Sequence, residues 1–152
     1  MKNFLLNTTT NKTFERLLPI IIDLETGGVD VNNSPILEIA IIIINKDIYG
    51  KMFPYQLINF NITPYKNSRI QTESILCNKI NIKNILRFSI KEKDAIKIMI
   101  NIITKILIKT NSKGSILVGH NVWFDLCFIK EAFKRSKIKN TIINILLSLP
   151  FH

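Results

Sequence analysis

Three acidic side chains stand beside two apolar segments that predict buried strands. Asp23 and Glu25 directly follow the apolar run 17–22, and Asp125 comes shortly after the short apolar run 115–119. Side chains two apart in a strand point to the same side, so Asp23 and Glu25 should share a face. Carboxylate oxygens are the hard ligands that Mg²⁺ and Mn²⁺ prefer. If the helix starting near Asp125 packs beside the first strand, the three carboxylates form one divalent-metal site.

Two metal ions held in this way would suit phosphodiester hydrolysis, because they stabilise both the attacking and the leaving oxygen. Taken singly, Asp-x-Glu is usually an ordinary loop opening, and Asp125 is usually a favourable charge at a helix start. The joint pattern favours the catalytic interpretation: a buried strand with Asp-x-Glu-Thr-Gly, then a second buried strand with Gly-His-Asn-x-x-Phe-Asp and a helix. For His120 and Asn121 we favour loop hydrogen bonding over catalysis. Trp123 suits core or helix-start packing at least as well as a stacking platform.

The remaining pattern predicts one α/β domain in the order βββαβα. Strands are expected at 17–22, 36–44, 56–63 and 115–119, long helices at 89–109 and 123–137, and a short helix within 67–77. Ser89 and Glu92 match a capping box at the start of the first long helix. In the second, the side chains of Phe128 and Phe133 should face the core and that of Arg135 should face solvent.

Composition and charge limit the possible classes of function but do not identify a single function. The chain has 152 residues, a formal net charge of +10 and 47% hydrophobic residues. Such a charge favours polyanions, although the Ile, Asn and Lys bias of an A/T-rich genome explains it equally well. Cys77 and Cys127 have neither disulfide-framework nor metal-ligand spacing. The longest apolar stretch, 36–44, is too short for a membrane span, so we expect a cytoplasmic protein that does not contact the membrane.

Two segments carry a family resemblance. Pro19 to Gly28 and Val118 to Asp125 with its helix, together with the Leu-Glu-Ile-Ala that begins at Leu37, resemble the first two motifs of the DEDD 3′→5′ exonucleases. The similarity runs from about residue 13 to residue 140 and is greatest to the ribonuclease T family. It implies a ribonuclease H-like exonuclease fold, a mixed sheet flanked by helices, and a homodimer. It also implies removal of 3′-terminal nucleotides from tRNA and other stable RNA with two Mg²⁺ ions, for which Mn²⁺ can substitute.

The resemblance assigns roles to individual residues. Asp23, Glu25 and Asp125 match the metal-binding acids, and Glu73 and Phe124 match residues that contact the terminal bases. Val29 and Cys77 stand where the family carries aromatic side chains, so we expect a weaker grip on the 3′ end.

The third family motif, His-x-Ala-x-x-x-Asp, has no match in the 152 residues. The general-base His and the fourth metal carboxylate would lie beyond His152, so no catalytic base is assigned and we expect little activity from this polypeptide. We interpret 1–140 as an exonuclease domain lacking its C-terminal part, and 141–152 as an apolar tail that out-of-frame translation would explain. An inactive remnant, an RNA-binding fragment and a DNA-proofreading exonuclease, which shares both motifs, stay open as alternatives.

Overall fold

A computed structural model describes residues 17–138, which form five strands and three helices. In chain order the elements are β1 (Leu17–Thr26), β2 (Ile36–Lys46), β3 (Met52–Thr63), α1 (Thr72–Asn78), β4 (Ser89–Lys91), α2 (Glu92–Lys109), β5 (Gly114–Val118) and α3 (Val122–Ser136). The α/β prediction is confirmed. The strands 36–44 and 56–63 and both long helices are present with shifted ends, and the short helix lies at α1.

The sheet is mixed, in the order β4-β3-β2-β1-β5. Strands β1 and β2 form an antiparallel hairpin in which Ile22 lies opposite Ile41, and β3 adds antiparallel to β2. Strand β5 lies parallel to β1, with Val118 opposite Ile21. Because β5 ends there, β1 continues from Ile22 to Thr26 without a strand neighbour on that side within residues 17–138, and this stretch carries Asp23 and Glu25.

Helices α2 and α3 cover one face of the sheet. Alternation along β1 and β2 directs one set of β-branched and aliphatic side chains to that face, where they join the buried side chains of both helices. The largest fully buried members are Phe128 and Phe133 of α3, Ile96 and Met99 of α2, and Ile20 of β1. The inward prediction for the phenylalanines is therefore confirmed, and this packing fixes α3 against the end of β1.

Two predictions for the long helices are wrong. Ser89 belongs to strand β4, which pairs with β3, and its hydroxyl group hydrogen bonds to that of Thr63 at 2.8 Å. Helix α2 begins at Glu92 after Lys91, without a side-chain cap. The side chain of Arg135 does not face solvent: it donates to both carboxylate oxygens of Glu92, at 2.9 and 2.7 Å. Glu92, which the local pattern assigned to a helix cap, thus belongs to a long-range ion pair with Arg135.

The apolar tail, 141–152, lies outside the described residues, so its interpretation stays a prediction. Among residues 17–138, none of the helices has the length and apolar character needed to cross a membrane. Cys77 and Cys127 are both free thiols.

Candidate active site

Asp125 joins the end of β1 through a backbone contact. One carboxylate oxygen, Oδ1, accepts the Leu24 N–H at 3.1 Å, and the side chain is only 7% exposed. This N–H lies beyond the last residue that β5 pairs, so the carboxylate supplies the acceptor that a neighbouring strand would supply. Helix α3 therefore packs beside the first strand, which is the condition on which the three-carboxylate site depends, and the second acidic motif lies next to the first.

Asp23 and Glu25 lie within β1 on the face opposite to Leu24. Asp23 is exposed, Glu25 is half-buried, and Leu24 between them is buried. The strand register places Glu38 of β2 directly opposite Glu25. Glu38 extends the group to four acids, which we call the acid cluster: Asp23, Glu25, Glu38 and Asp125. Glu38 is not among the site residues predicted from the sequence, although this one charge interrupts the apolar run of β2.

The acid cluster repels itself. Burial raises the pKa of Glu25, and the negative charges of Asp23 and Glu38 raise it further. Burial also raises the pKa of Asp125; the hydrogen bonds from its own N–H and from Leu24 oppose this rise, and the charge of Asp23 adds to it. The charge of Asp23 thus raises the pKa of both Glu25 and Asp125. Accumulated like charge of this kind favours a bound cation.

The donor chemistry fits a hard divalent ion, because carboxylate oxygens are its preferred ligands. Among residues 17–138, however, no three acid, histidine or cysteine side chains stand ready together as metal ligands. Asp125 directs one oxygen to Leu24, and Asp23 is exposed. The described residues thus bring acidic groups to one end of β1 without arranging three of them as ready metal ligands.

Helix α1 is tied to the loop that follows β1. The Gln71 N–H donates to the Gly27 carbonyl at 2.7 Å, and the Asn78 amide donates to the Thr26 carbonyl at 3.2 Å. A Cβ at Gly28 would lie 2.5 Å from Ser34 Oγ and 2.7 Å from Gln71 Oε1, so this close approach requires glycine. Glu73 lies in the first turn of α1, the helix that these contacts tie to the loop after β1. Its side chain is exposed, as is that of Cys77.

The start of α3 presents aromatic side chains on two sides. Phe124 is half-buried against the core, with its ring centroid 4.9 Å from that of Phe128. Trp123 is 68% exposed, which decides against core packing for its side chain. His120 and Asn121 are exposed in the loop before α3, and Asn121 adopts the left-handed conformation as the N-cap residue.

Comparison with known proteins identifies the family. The family model RNase_T, described as "Exonuclease", matches residues 20–148, which include both acidic motifs. The chain belongs to the RNase T family of exonucleases. It is 36% identical over 147 residues to ribonuclease T of Buchnera aphidicola from Baizongia pistaciae, covering 97% of this chain and 64% of the relative. It is 39% identical over 147 residues to ribonuclease T of Buchnera aphidicola from Acyrthosiphon pisum, covering 96% of this chain and 62% of the relative.

The chain thus spans somewhat over 60% of the length of these curated relatives. Among solved structures it is similar to the zinc-bound form of an Escherichia coli exonuclease I complex with single-stranded DNA. The TM-score is 0.62 at 17% identity, covering 80% of this chain and 24% of the other. At this identity the likeness shows the fold alone, and it confirms the exonuclease fold that the resemblance implied.

Proposed function

We propose that this RNase T family chain provides the metal-binding and RNA-binding groups of a 3′→5′ exoribonuclease, which trims the 3′ ends of tRNA and other stable RNA by two-metal hydrolysis. The 152 residues contain no match to the third family motif, so we propose that they hydrolyse RNA poorly on their own. The contact that carries the proposal is the hydrogen bond from Leu24 to Asp125, which brings the second acidic motif to the strand that bears the first. RNA as substrate is supported by the relatives named ribonuclease T, at 36% and 39% identity.

Asp23, Glu25 and Asp125 would hold two Mg²⁺ ions, or Mn²⁺ in their place. When bound, such ions supply charge stabilisation for the attacking and leaving oxygens of the phosphodiester. The chain's own contribution is to fix the acids. The Leu24 N–H orients the Asp125 carboxylate. The β1–β2 pairing holds Glu25 opposite Glu38, where their like charges repel each other and favour a bound cation.

Glu73 and Phe124 would contact the terminal bases. Two observations support these roles: α1 is fastened to the loop after β1 by the Gln71 and Asn78 hydrogen bonds, and Phe124 is half-buried one residue before Asp125. Val29, at 71% exposure, and the exposed Cys77 offer little stacking area, which favours a loose grip on the 3′ nucleotide.

The full assembly would be a cytoplasmic homodimer that binds RNA through positive charge and base contacts. The net charge of +10 supports attraction of RNA. Exposed apolar side chains at the β2–β3 hairpin, among them Ile48, Tyr49 and Leu57, support burial against a second copy.

A second candidate is binding of RNA without hydrolysis. The observation that favours it concerns the general base: the sequence has two histidines, and the one within the described residues, His120, is exposed in the loop before α3. The loss of a general base alone lowers a rate by about 10²–10⁴-fold. The metal-binding acids, Glu73 and Phe124 would bind RNA without that base.

A 3′-labelled tRNA separates the two candidates. We expect the 152-residue polypeptide to retain the RNA in a filter-binding assay and to release no labelled nucleotide with Mg²⁺. Asp23→Asn is the control, because any release that survives this change comes from a contaminant. Release that depends on Asp23 would contradict the prediction, and it would show that the third motif is dispensable or supplied by another chain. Single-stranded DNA of the same sequence tests the proofreading alternative.

The interpretation of the tail has its own test. Translation of the other two reading frames from the codon for Asn140 should yield a continuation that contains His-x-Ala-x-x-x-Asp. If neither frame contains this motif within the next few hundred bases, the out-of-frame interpretation of 141–152 is wrong.

A further inference from the structure

Trp123 is the only tryptophan of the sequence, and its side chain is 68% exposed. Indole is the largest side chain, and folding ordinarily places most of its surface against other apolar groups. The core contains the neighbouring Phe128 and Phe133 and does not include Trp123. A large aromatic ring is thus mostly exposed at the start of α3, and the core formed by residues 17–138 gives it no packing role.

The position of Trp123 relates it to the acid cluster. It lies two residues before Asp125 on the same helix, which places the two Cα atoms about 5.4 Å apart and their side chains on opposite sides of the helix. Asp125 faces β1 and accepts the Leu24 N–H, so the indole points away from the acids without competing with them. The ring and the acid cluster therefore lie on opposite sides of the first turn of α3.

Lys130 supplies a cation at the same place. Its ammonium lies 5.1 Å from the centroid of the indole ring, two helical turns along α3. One face of the ring therefore meets this cation, and the high exposure of Trp123 leaves the rest open. Lys134, the next lysine on α3, is paired with Glu131, whereas no such carboxylate pairs with Lys130 among the described ion pairs. An open aromatic face beside a lysine suits an unpaired base followed by a phosphate.

A second pair of this type serves as an internal comparison. Lys109 lies 5.4 Å from the ring centroid of Tyr55 and also donates to its hydroxyl group. Tyr55 is on β3, which β2 separates from the acid-bearing β1, and Tyr55 is 36% exposed. The two pairs share their chemistry and differ in their relation to the acid cluster.

We propose that Trp123 and Lys130 form a binding site for one unpaired base and its phosphate in single-stranded nucleic acid, next to the nucleotide at the acid cluster. The inference rests on the proposed function, since that function brings the strand to α3. It adds a contact that neither the acids nor Glu73 and Phe124 supply, and it offsets the stacking area lost at Val29 and Cys77.

The fluorescence of the sole tryptophan reports on this site directly. Titration of the polypeptide with an oligoribonucleotide in EDTA, where hydrolysis is suppressed, should quench the emission to saturation. The oligodeoxyribonucleotide of the same sequence distinguishes RNA from DNA, and a blunt duplex of equal length should not quench, because its bases are already stacked. Emission that shifts with protein concentration alone, without nucleic acid, would assign the ring to a contact between copies and overturn the proposal.

Variants measure the contribution of each group. Trp123→Ala should weaken binding of the single strand about 5- to 100-fold, and Trp123→Phe should recover part of the loss. Lys130→Met should lower the slope of log affinity against log salt by about one. Tyr55→Ala is the matched control and should leave affinity unchanged. If the wild type binds the strand with unaltered emission and Trp123→Ala binds equally well, the site is refuted while the proposed function stands. If no strand binds at any concentration, both fail.

Discussion

Asp23→Asn should weaken the binding of Mn²⁺ by about 100-fold or more. Even a group that only orients a metal ligand typically contributes 10–100-fold to affinity, and Asp23 would itself be a ligand. Its charge also acts on both Glu25 and Asp125, so its removal relieves the repulsion that makes the acid cluster attract a cation. Isothermal titration calorimetry of the folded polypeptide measures the effect.

The control for this measurement is Asp94→Asn, which removes an exposed acid from the first turn of α2, outside the acid cluster. Mn²⁺ affinity should be unchanged in this variant. Equal affinity in Asp23→Asn and in the wild type would show that Asp23, Glu25 and Asp125 do not form the metal site.

In EDTA, where no metal is bound, Asp23→Asn should stabilise the folded protein. The raised pKa values of Glu25 and Asp125 mean that their stabilising contribution is present below the unfolded pKa of about 4 and is lost as pH rises through the folded pKa. At pH 7 both groups are therefore destabilising, and Asp23→Asn should raise Tm by roughly 1–2 °C. The gain should vanish near pH 4, and saturating Mn²⁺ should reverse the order of the two proteins.

The sequence predicted the structure correctly where a pattern of residue types determines it. The apolar runs 17–22 and 36–44 carry β-branched residues at high density, and both strands formed. The stripe of α2 that contains Ile96, Met99 and Ile103 is buried as its period requires. The joint acidic pattern predicted that Asp125 lies against β1, although this contact joins residues separated by 101 positions.

The sequence failed where a tertiary partner competes with a local one. Ser89 and Glu92 have capping-box spacing, yet Ser89 pairs with β3 in the sheet and Glu92 binds Arg135, 43 residues away. Neither partner is visible in a local window. Glu38 was missed for a related reason, since only the register of β1 with β2 shows that it lies opposite Glu25. Long-range pairing thus decided each residue whose predicted role was wrong or absent.

Arg135→Met should lower the free energy of unfolding by about 3 kcal/mol, because it leaves the carboxylate of Glu92 in a site that is only 8% exposed. The guanidinium group also lies 4.6 Å from the Tyr65 ring, a contact that the variant loses in part. The pair joins the first residue of α2 to the last turn of α3, so its loss should loosen the helix that carries Asp125. Urea denaturation followed by circular dichroism measures the change.

The double variant Glu92→Leu with Arg135→Met should recover most of the loss, since it removes the uncompensated charge instead of a partner. Lys134→Met, which breaks the exposed pair with Glu131, is the matched control on the same helix and should cost no more than about 0.5 kcal/mol. Equal costs for Lys134→Met and Arg135→Met would show that Glu92 does not depend on Arg135, and the ion pair would then have no part in holding α3 against α2.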